Sequence, residues 1–221
     1  MRFKDIFSII GPDMIGPSSS HTAGAVRIGR AARQLFGVQP EKAVITLYGS
    51  FADTYRGHGT DLALAAGLLD WNTNDSRIPD ALRHAEQAEL DIVLRTARGV
   101  QPHPNTANID MTAAGRRMSV TGVSIGGGNM EIMAIDDFGV RFSGMSPTIV
   151  IRHLDRIGML AEITGLFSRH SLNIASMEVD RRGRNGEAMT VVEADGQWNS
   201  QLISELRLLA GVYDIRTVEL S

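Results

Sequence analysis

The sequence predicts an α+β chain in two parts, an N-terminal α/β domain over residues 1–147 and a C-terminal domain over residues 148–221. Hydrophobic residues in 148–221 alternate between strand and helix periods in the order βαββαβ, the ferredoxin-like arrangement. Residues 1–147 mix both periods and are richer in glycine. The segment Phe142–Pro147 (FSGMSP) is rich in Ser, Gly and Pro, which is typical of a linker. These three observations predict two domains.

The elements of the first part follow from local patterns. Helical spacing predicts helices at Ala23–Phe36, Thr60–Leu69 and Pro79–Glu89, the second capped by Thr60 or Asp61. Apolar or alternating runs predict strands at Ala43–Tyr48, Asp91–Thr96, Ile109–Thr112, Arg117–Ile125, Met130–Ile135 and Val140–Ser143.

The second part has a clearer pattern. Strands are predicted at Thr148–Leu154, Asn173–Asp180, Glu187–Ala194 and Val212–Leu220. Helices are predicted at Ile157–Arg169 and Ser200–Leu209, where apolar residues recur every three or four positions.

Composition excludes several classes of function. The chain carries 22 basic and 25 acidic side chains, a formal charge of −3, so we expect neither nucleic acid nor an anionic membrane as a partner. No apolar run approaches the roughly 20 residues of a membrane span, and Met1–Asp5 lacks the pattern of a secretion signal, so we expect a cytoplasmic protein. The absence of cysteine excludes disulfides, thiol nucleophiles and a cysteine-held metal site or iron–sulfur cluster in this chain alone.

The densest polar cluster is Gly16–Thr22 (GPSSSHT), directly before a predicted helix. Hydroxyls and free N–H groups at a helix N-terminus suit a carboxylate or phosphate. The positive end of the helix disfavours a protonated histidine there, so His21 is a candidate general base. The alternative is a Ser/Thr-rich loop with one N-cap and a solvent-facing histidine.

Four other clusters carry polar or glycine-rich loops next to predicted elements. Tyr48–Ser50 (YGS) follows a strand, Gly57–Asp61 (GHGTD) precedes a helix, His103–Thr106 (HPNT) is a rigid loop, and Ser124–Asn129 (SIGGGN) ends a strand. Taken singly, each has an ordinary structural interpretation, such as a buried hydrogen-bonded histidine, a surface histidine or a flexible turn.

GPSSSHT, LYGS, GHGTD, HPNT and SIGGG, in this order and at these intervals, resemble the beta chain of the iron–sulfur-dependent L-serine dehydratases, and the resemblance covers essentially the whole chain. The first part of that family resembles the allosteric substrate-binding domain of phosphoglycerate dehydrogenases, and the C-terminal part resembles an ACT domain, an amino-acid-sensing module. The resemblance implies elimination of water from L-serine, giving pyruvate and ammonia, on a [4Fe–4S] cluster held by cysteines of a separate alpha chain. The lack of cysteine fits the beta half of such an enzyme.

The resemblance also implies roles for individual residues. His21 would transfer the proton, and the serine cluster would bind the substrate carboxylate, namely Ser18, Ser19 and Ser20 with Thr22. His58, with Thr60 and Asp61, would orient the substrate ammonium or act as a second acid or base. The remaining substrate-site residues would line the interface with the alpha chain: His103, Asn105, Gly126, Gly127 and Gly128.

In the tail, the family's ACT pattern implies an amino-acid effector site at a dimer interface, formed by Asp155, Arg156, Gly158, Met159, Asn173 and Ile174. Ile157 stands where many such turns have proline, and Ser171 where glycine is common. Ser171 makes a left-handed backbone less easy, so a purely structural, dimerising domain remains the alternative. Either way we expect self-association through residues 148–221.

Two other interpretations stay open from the residues alone. A non-catalytic amino-acid sensor would need the hydroxyls and amides but not three histidines in constrained loops. An independent metal hydrolase would need clustered histidines and carboxylates, and no HxxxH pair exists.

Arg27, Arg30 and Arg33 recur every third residue, which indicates either a solvated helix face or an interface with an acidic patch of the alpha chain.

Overall fold

The computed structural model describes residues 13–220 and divides into two compact units between Asp136 and Asp137. The predicted linker, Phe142–Pro147, lies within the second unit. The α+β class is confirmed, because one unit combines helices with a mixed sheet and the other has the order βαββαβ.

The first unit contains five strands in the spatial order β2-β1-β3-β4-β5. The strands are β1 (Lys42–Tyr48), β2 (Asp91–Ala97), β3 (Thr106–Ala113), β4 (Arg116–Gly126) and β5 (Asn129–Ile135). The helices are α1 (Gly24–Phe36), α2 (Gly49–His58), α3 (Thr60–Leu68) and α4 (Ala81–Gln87). Strands β1 and β2 are parallel, and all other pairings in this sheet are antiparallel.

Most elements predicted before residue 148 are present, but two predictions are wrong and one helix was not predicted. The segment Gly49–His58 is helical, and the sequence patterns had assigned no element there. Val140–Ser143 is not a strand. Neither Thr60 nor Asp61 caps α3, because Gly59 occupies the N-cap position with a φ of +65° and no side chain.

Helices α1 and α3 cross at two glycines. A Cβ atom added at Gly67 would lie 2.2 Å from the carbonyl oxygen of Val26, and one added at Gly29 would lie 2.5 Å from the carbonyl oxygen of Leu64. Because real side chains do not tolerate such distances, the close approach depends on the missing Cβ atoms. The crossing fixes α1 and α3 against each other, and each of these helices begins next to polar residues of the predicted site.

The second unit is a four-stranded antiparallel sheet in the order β7-β8-β6-β9. The strands are β6 (Thr148–Leu154), β7 (Asn173–Arg181), β8 (Glu187–Asp195) and β9 (Val212–Val218), and the helices are α5 (Met159–Arg169) and α6 (Ser200–Leu208). Helix α5 starts two residues later than predicted because Gly158 adopts a φ of +86°, which leaves Ile157 fully exposed. Apolar residues of both helices and the sheet form one core, including Ile151, Phe167 and Leu206.

Residues 137–147, which we call the strap, donate hydrogen bonds to carboxylates on the sheet of the second unit. The N–H of Gly139 donates to Asp180 at 2.7 Å, and the N–H of Arg141 donates to Glu178 at 2.9 Å. Glu193 Oε1 accepts the hydroxyl of Ser143 at 2.7 Å and the N–H groups of Ser143 and Gly144. These bonds satisfy backbone donors that a strand would have given to a neighbouring strand, which explains why Val140–Ser143 is not one.

The strap covers the sheet face opposite to the helices. Val192 and Ala194 of β8 pack into the core beneath the helices, so Glu193 points to the other face. Phe138, Val140 and Phe142 are buried at every second position of the strap. The alternation resembles that of a strand, and Phe138 and Phe142 each form an isolated backbone bridge, but Gly139, Arg141 and Ser143 donate their N–H groups to carboxylates.

Candidate functional site

His21 lies in a π-helical turn, Ser19–Ala23, that leads directly into α1. Ser18 occupies the N-cap position, and its Oγ accepts the backbone N–H of His21 at 3.1 Å. Thr22 N–H donates to the carbonyl of Ser18 at 2.8 Å. The turn therefore holds the imidazole at the N-terminal end of a continuous helical segment.

The imidazole of His21 has a hydroxyl near each ring nitrogen. Nε2 lies 3.0 Å from Ser50 Oγ, and Nδ1 lies 3.4 Å from Ser18 Oγ. Phe51, which is fully buried, packs edge-on with its ring centroid 5.4 Å away. The ring of His58 is tilted against His21 with 4.7 Å between centroids. The site thus contains two adjacent imidazoles and two hydroxyls.

The pKa of His21 is lowered, first by burial of the ring and second by the neighbouring His58. Burial disfavours the charged imidazolium because it removes water from around the charge. The direction agrees with the sequence-based expectation, although burial and not the helix terminus is the leading cause. A neutral imidazole at pH 7 can accept a proton.

The serine cluster surrounds the start of the helical segment. Ser18, Ser19 and Ser20 are all half-buried, and the hydroxyls of Ser19 and Ser20 form no hydrogen bond with residues 13–220. Thr22 is buried, and its hydroxyl donates to the carbonyl of His58 at 3.0 Å. Thr22 therefore ties the turn to the end of α2, while the hydroxyls of Ser19 and Ser20 have no partner among residues 13–220.

The GHGTD motif places three polar side chains in different surroundings. His58 is the last residue of α2, and its Nδ1 is buried without a hydrogen-bond partner in the described chain. The hydroxyl of Thr60 is likewise buried and unpaired among residues 13–220. Asp61 Oδ1 accepts the N–H of Leu62 at 2.9 Å. Of these three, only His58 contacts His21 directly.

The HPNT loop is fixed between the start of α2 and the end of β4. Gly49 has a φ of +52°, and a Cβ atom there would lie 2.5 Å from the carbonyl oxygen of Pro104. His103 Nδ1 accepts the N–H of Asn105 at 3.1 Å, and the side chain of Asn105 donates to the carbonyl of Ser124 at 3.3 Å. Residues of this loop therefore reach both the LYGS and the SIGGG segments.

The glycine turn begins at Gly126, the last residue of β4, and all three residues have positive φ: Gly126, Gly127 and Gly128 at 98°, 62° and 78°. Ser124 precedes this turn and is fully buried beneath α1, since a Cβ atom at Gly24 would lie 2.2 Å from its Oγ. The fold thus brings the five sequence motifs into one connected cluster. The roles proposed for their individual residues remain predictions.

Ser50 belongs to this cluster but was not among the predicted site residues. Its side chain contacts His21 from 29 positions further along the chain. The signal in the sequence was its place in LYGS, directly after a predicted strand. Local patterns could not indicate which imidazole the hydroxyl contacts.

The arginine row on α1 is half-buried and not simply solvated. Arg30 pairs with Asp70 at 2.9 Å. Burial lowers the pKa of Arg27 and of Arg33. The burial and pairing of these arginines do not test the predicted interface with an alpha chain, which stays a prediction.

In the tail, charged residues of the predicted effector site already have partners within the chain. Arg156 forms a bidentate pair with Glu162 at 2.8 and 2.7 Å, and Asp155 pairs with Arg181 at 3.3 Å. Asn173 donates to Asp195 at 2.7 Å.

Two further predicted effector residues, Met159 and Ile174, pack in or against the core. Ser171 adopts a φ of +58°, so the left-handed turn forms despite the missing glycine.

Residues 13–220 contain no group of three His, Asp or Glu side chains able to hold a metal ion, and the sequence has no cysteine. The donor set of this chain therefore does not fit an iron–sulfur cluster, which needs thiolate ligands. Within the same residues, no helix has the length and apolar character needed to span a membrane.

Comparisons with known proteins match both units. Residues 3–90 match the family described as "Serine dehydratase beta chain", and residues 149–214 match "AHAS small subunit-like ACT domain". The chain is 43% identical over 218 residues to the "Probable L-serine dehydratase, beta chain" of Bacillus subtilis, covering 99% of both chains. It is 34% identical over 202 residues to the "L-serine dehydratase, beta chain" of Peptoniphilus asaccharolyticus, covering 90% of this chain and 91% of the relative.

A more distant similarity links the chain to a larger enzyme. It is 23% identical over 210 residues to the "D-3-phosphoglycerate dehydrogenase" of Synechocystis, covering 95% of this chain but 38% of that enzyme. The similarity to phosphoglycerate dehydrogenases expected from the sequence motifs is therefore present.

Proposed function

The chain belongs to the family of L-serine dehydratase beta chains, and we propose that its His21 cluster performs the proton transfer in conversion of L-serine to pyruvate and ammonia. It is the beta subunit of such an enzyme. The observation that supports the proposal is the half-buried His21 imidazole, with Ser50 Oγ 3.0 Å from Nε2 and a second imidazole beside it.

His21 acts as the general base that removes the α-proton of L-serine. Its lowered pKa keeps the imidazole neutral near pH 7, which a base requires. His58, whose Nδ1 is buried and has no hydrogen-bond partner among residues 13–220, is the candidate for a second acid or base. It lies close enough to His21 for the two rings to influence each other's protonation.

The substrate carboxylate binds at the serine cluster. Ser19 and Ser20 offer two half-buried hydroxyls, and the first N–H groups of a helical segment have no partner within the helix. Both features favour an anion at this end of the helix. Thr60 and Asp61 then lie toward the ammonium side of the substrate.

The alpha chain supplies the [4Fe–4S] cluster through its own cysteines, because this chain has none. His103, Asn105 and the glycines Gly126, Gly127 and Gly128 line the side of the site that faces the alpha chain. The three glycines have positive φ and no side chain, which allows close approach of another chain or of the substrate.

Because the proposal assigns the cluster to the alpha chain, we expect that the isolated beta chain neither binds a cluster nor turns over L-serine. After anaerobic incubation with iron and sulfide it should remain colourless, and pyruvate formation should require addition of an alpha chain. Absorbance at the visible charge-transfer bands of an iron–sulfur cluster measures cluster binding, and a pyruvate assay measures turnover. Appreciable turnover by the pure chain would contradict the two-chain proposal.

The lowered pKa of His21 predicts that the base remains active at mildly acidic pH. A base is active when neutral and loses activity as the pH falls through its pKa. Since burial moves the pKa of His21 below the ordinary value of about 6.5, protonation should have its midpoint below that pH. An NMR titration of the His21 ring in the full chain measures the midpoint. A midpoint above 6.5 would contradict the assigned environment.

We further propose that the tail mediates self-association, with the predicted effector residues at or near the interface. The full chain should sediment as a dimer and a chain ending at Asp136 as a monomer. L-Serine should stabilise the dimer if an effector site exists, because ligand binding to one state favours that state. Analytical ultracentrifugation with and without L-serine tests both points. Equal association of the two chains would exclude the tail as the dimerising element, and serine-independent dimers would support the purely structural alternative.

A further inference from the structure

The two hydroxyls beside the His21 ring have different hydrogen-bond environments. Ser18 Oγ already accepts the backbone N–H of His21 at 3.1 Å. A hydroxyl that accepts one bond retains its own O–H to donate, and His21 Nδ1 lies 3.4 Å away. The contacts within the described chain give Ser50 Oγ one side-chain partner, His21 Nε2 at 3.0 Å.

Both neutral tautomers of the ring fit these contacts, and they differ in whether Ser50 accepts a hydrogen bond from the ring or donates one to it. A neutral imidazole has one N–H donor and one bare acceptor nitrogen. If Ser18 donates to Nδ1, the ring proton must sit on Nε2, and Ser50 Oγ is then its acceptor. In this arrangement the 3.0 Å contact with Ser50 holds the ring at Nε2. The 3.4 Å contact with Ser18 covers Nδ1, the nitrogen that would face a substrate.

Ser50 is held firmly enough to orient the ring. It follows Gly49, whose left-handed backbone lies against Pro104. Its carbonyl accepts the hydroxyl of Thr54 at 2.7 Å, one turn along α2. The next residue, Phe51, is fully buried and contacts the same imidazole. These contacts fix the position of Ser50 independently of His21.

We propose that Ser50 is a positioning residue: it accepts the Nε2–H of His21 and thereby keeps the lone pair of Nδ1 available for proton transfer. The proposal rests on His21 being the base in the proposed function. In the Michaelis complex the substrate replaces the long contact of Ser18 at Nδ1, while Ser50 retains Nε2–H.

Other groups near the ring do not provide this acceptor. On α2, the ring of His58 is tilted against the ring of His21, and the side chains of Asp53 and Arg56 are exposed. On α3, Asp61 accepts a backbone N–H.

The tautomer can be measured directly in the full chain. Nitrogen-15 NMR distinguishes protonated from bare ring nitrogens, and we expect Nε2 of His21 to be protonated. Ser50→Ala should mix the two tautomers and lower the pKa of His21 further, because an acceptor stabilises the imidazolium more than the neutral ring. Ser50→Thr, which keeps a hydroxyl, should restore both properties. Thr164→Val removes a hydroxyl that makes the same kind of contact in α5, to the carbonyl of Leu160 at 2.9 Å, and should change neither.

Activity of the assembled alpha–beta enzyme provides the second measurement. Ser50→Ala should lower kcat on the order of 10- to 100-fold with little change in KM, as for other orienting partners of functional histidines. Protonation at Nδ1 in the wild-type chain, or an unchanged tautomer and pKa in Ser50→Ala, would overturn the proposal. If the assembled enzyme has no dehydratase activity, the proposed function fails, while the NMR result still decides the tautomer that Ser50 sets.

Discussion

Replacing His21 by alanine in the assembled alpha–beta enzyme is expected to lower kcat on the order of 10²–10⁴-fold, the usual contribution of a general base. The substrate would still bind through the serine cluster, so KM should change much less than kcat. Within residues 13–220 the hydrogen bonds and ring contacts of this imidazole are to Ser18, Ser50, Phe51 and His58, so thermal stability should fall only slightly.

A histidine of the same unit outside the cluster provides the control. His84 lies in α4 and packs edge-on against Trp71 at 5.3 Å. Because His84 is not the proposed general base, His84→Ala should leave kcat within about threefold of the wild type. Loss of a general base lowers kcat far more than that. Steady-state kinetics and circular dichroism of both variants separate catalysis from folding. Activity of His21→Ala within the same threefold range would assign the residue to structure alone.

Replacing Gly67 by alanine is expected to destabilise the first unit by about 2–3 kcal/mol, typical of overpacking in a close contact. The new Cβ atom would lie 2.2 Å from the carbonyl oxygen of Val26 and 2.6 Å from the N atom of Arg30. Both neighbours are backbone atoms, so the helices themselves must separate to relieve the clash.

Gly57 provides a matched control, since it also lies within a helix but has no atom within 4 Å of the added Cβ. Gly57→Ala should be neutral or stabilise by about 0.5–1 kcal/mol, because alanine has the better helix propensity. Urea unfolding followed by circular dichroism gives both free energies. Similar stability of Gly67→Ala and Gly57→Ala would show that the crossing of α1 and α3 tolerates a wider spacing.

The fold of the tail could be predicted in detail because its apolar periods change clearly between strands and helices. The first unit was harder. Helix α2 contains Gly49 and Gly57 and ends before Gly59, a composition that indicates a loop. It is stabilised by tertiary packing, above all by the fully buried Phe51, which local propensity does not record.

The candidate site was predicted as a set of motifs, whereas its internal contacts required the structure. His21, His58 and the serine cluster lie together as the family resemblance implied. The contact of Ser50 with His21 could not be predicted, because it depends on the turn after β1 and on how α2 packs. Similarly, the sequence could not indicate that Arg156 pairs with Glu162 instead of remaining open to a ligand.

The strap limits how two copies of the tail can join. Because Phe138, Val140 and Phe142 already lie buried at the sheet, stacking of two tail sheets face to face would first require removal of each copy's own strap. Within the second unit, β7 and β9 are the edge strands of the sheet. A dimer built through β7 or β9 would extend the sheet sideways into an eight-stranded one, with a strap retained on each half.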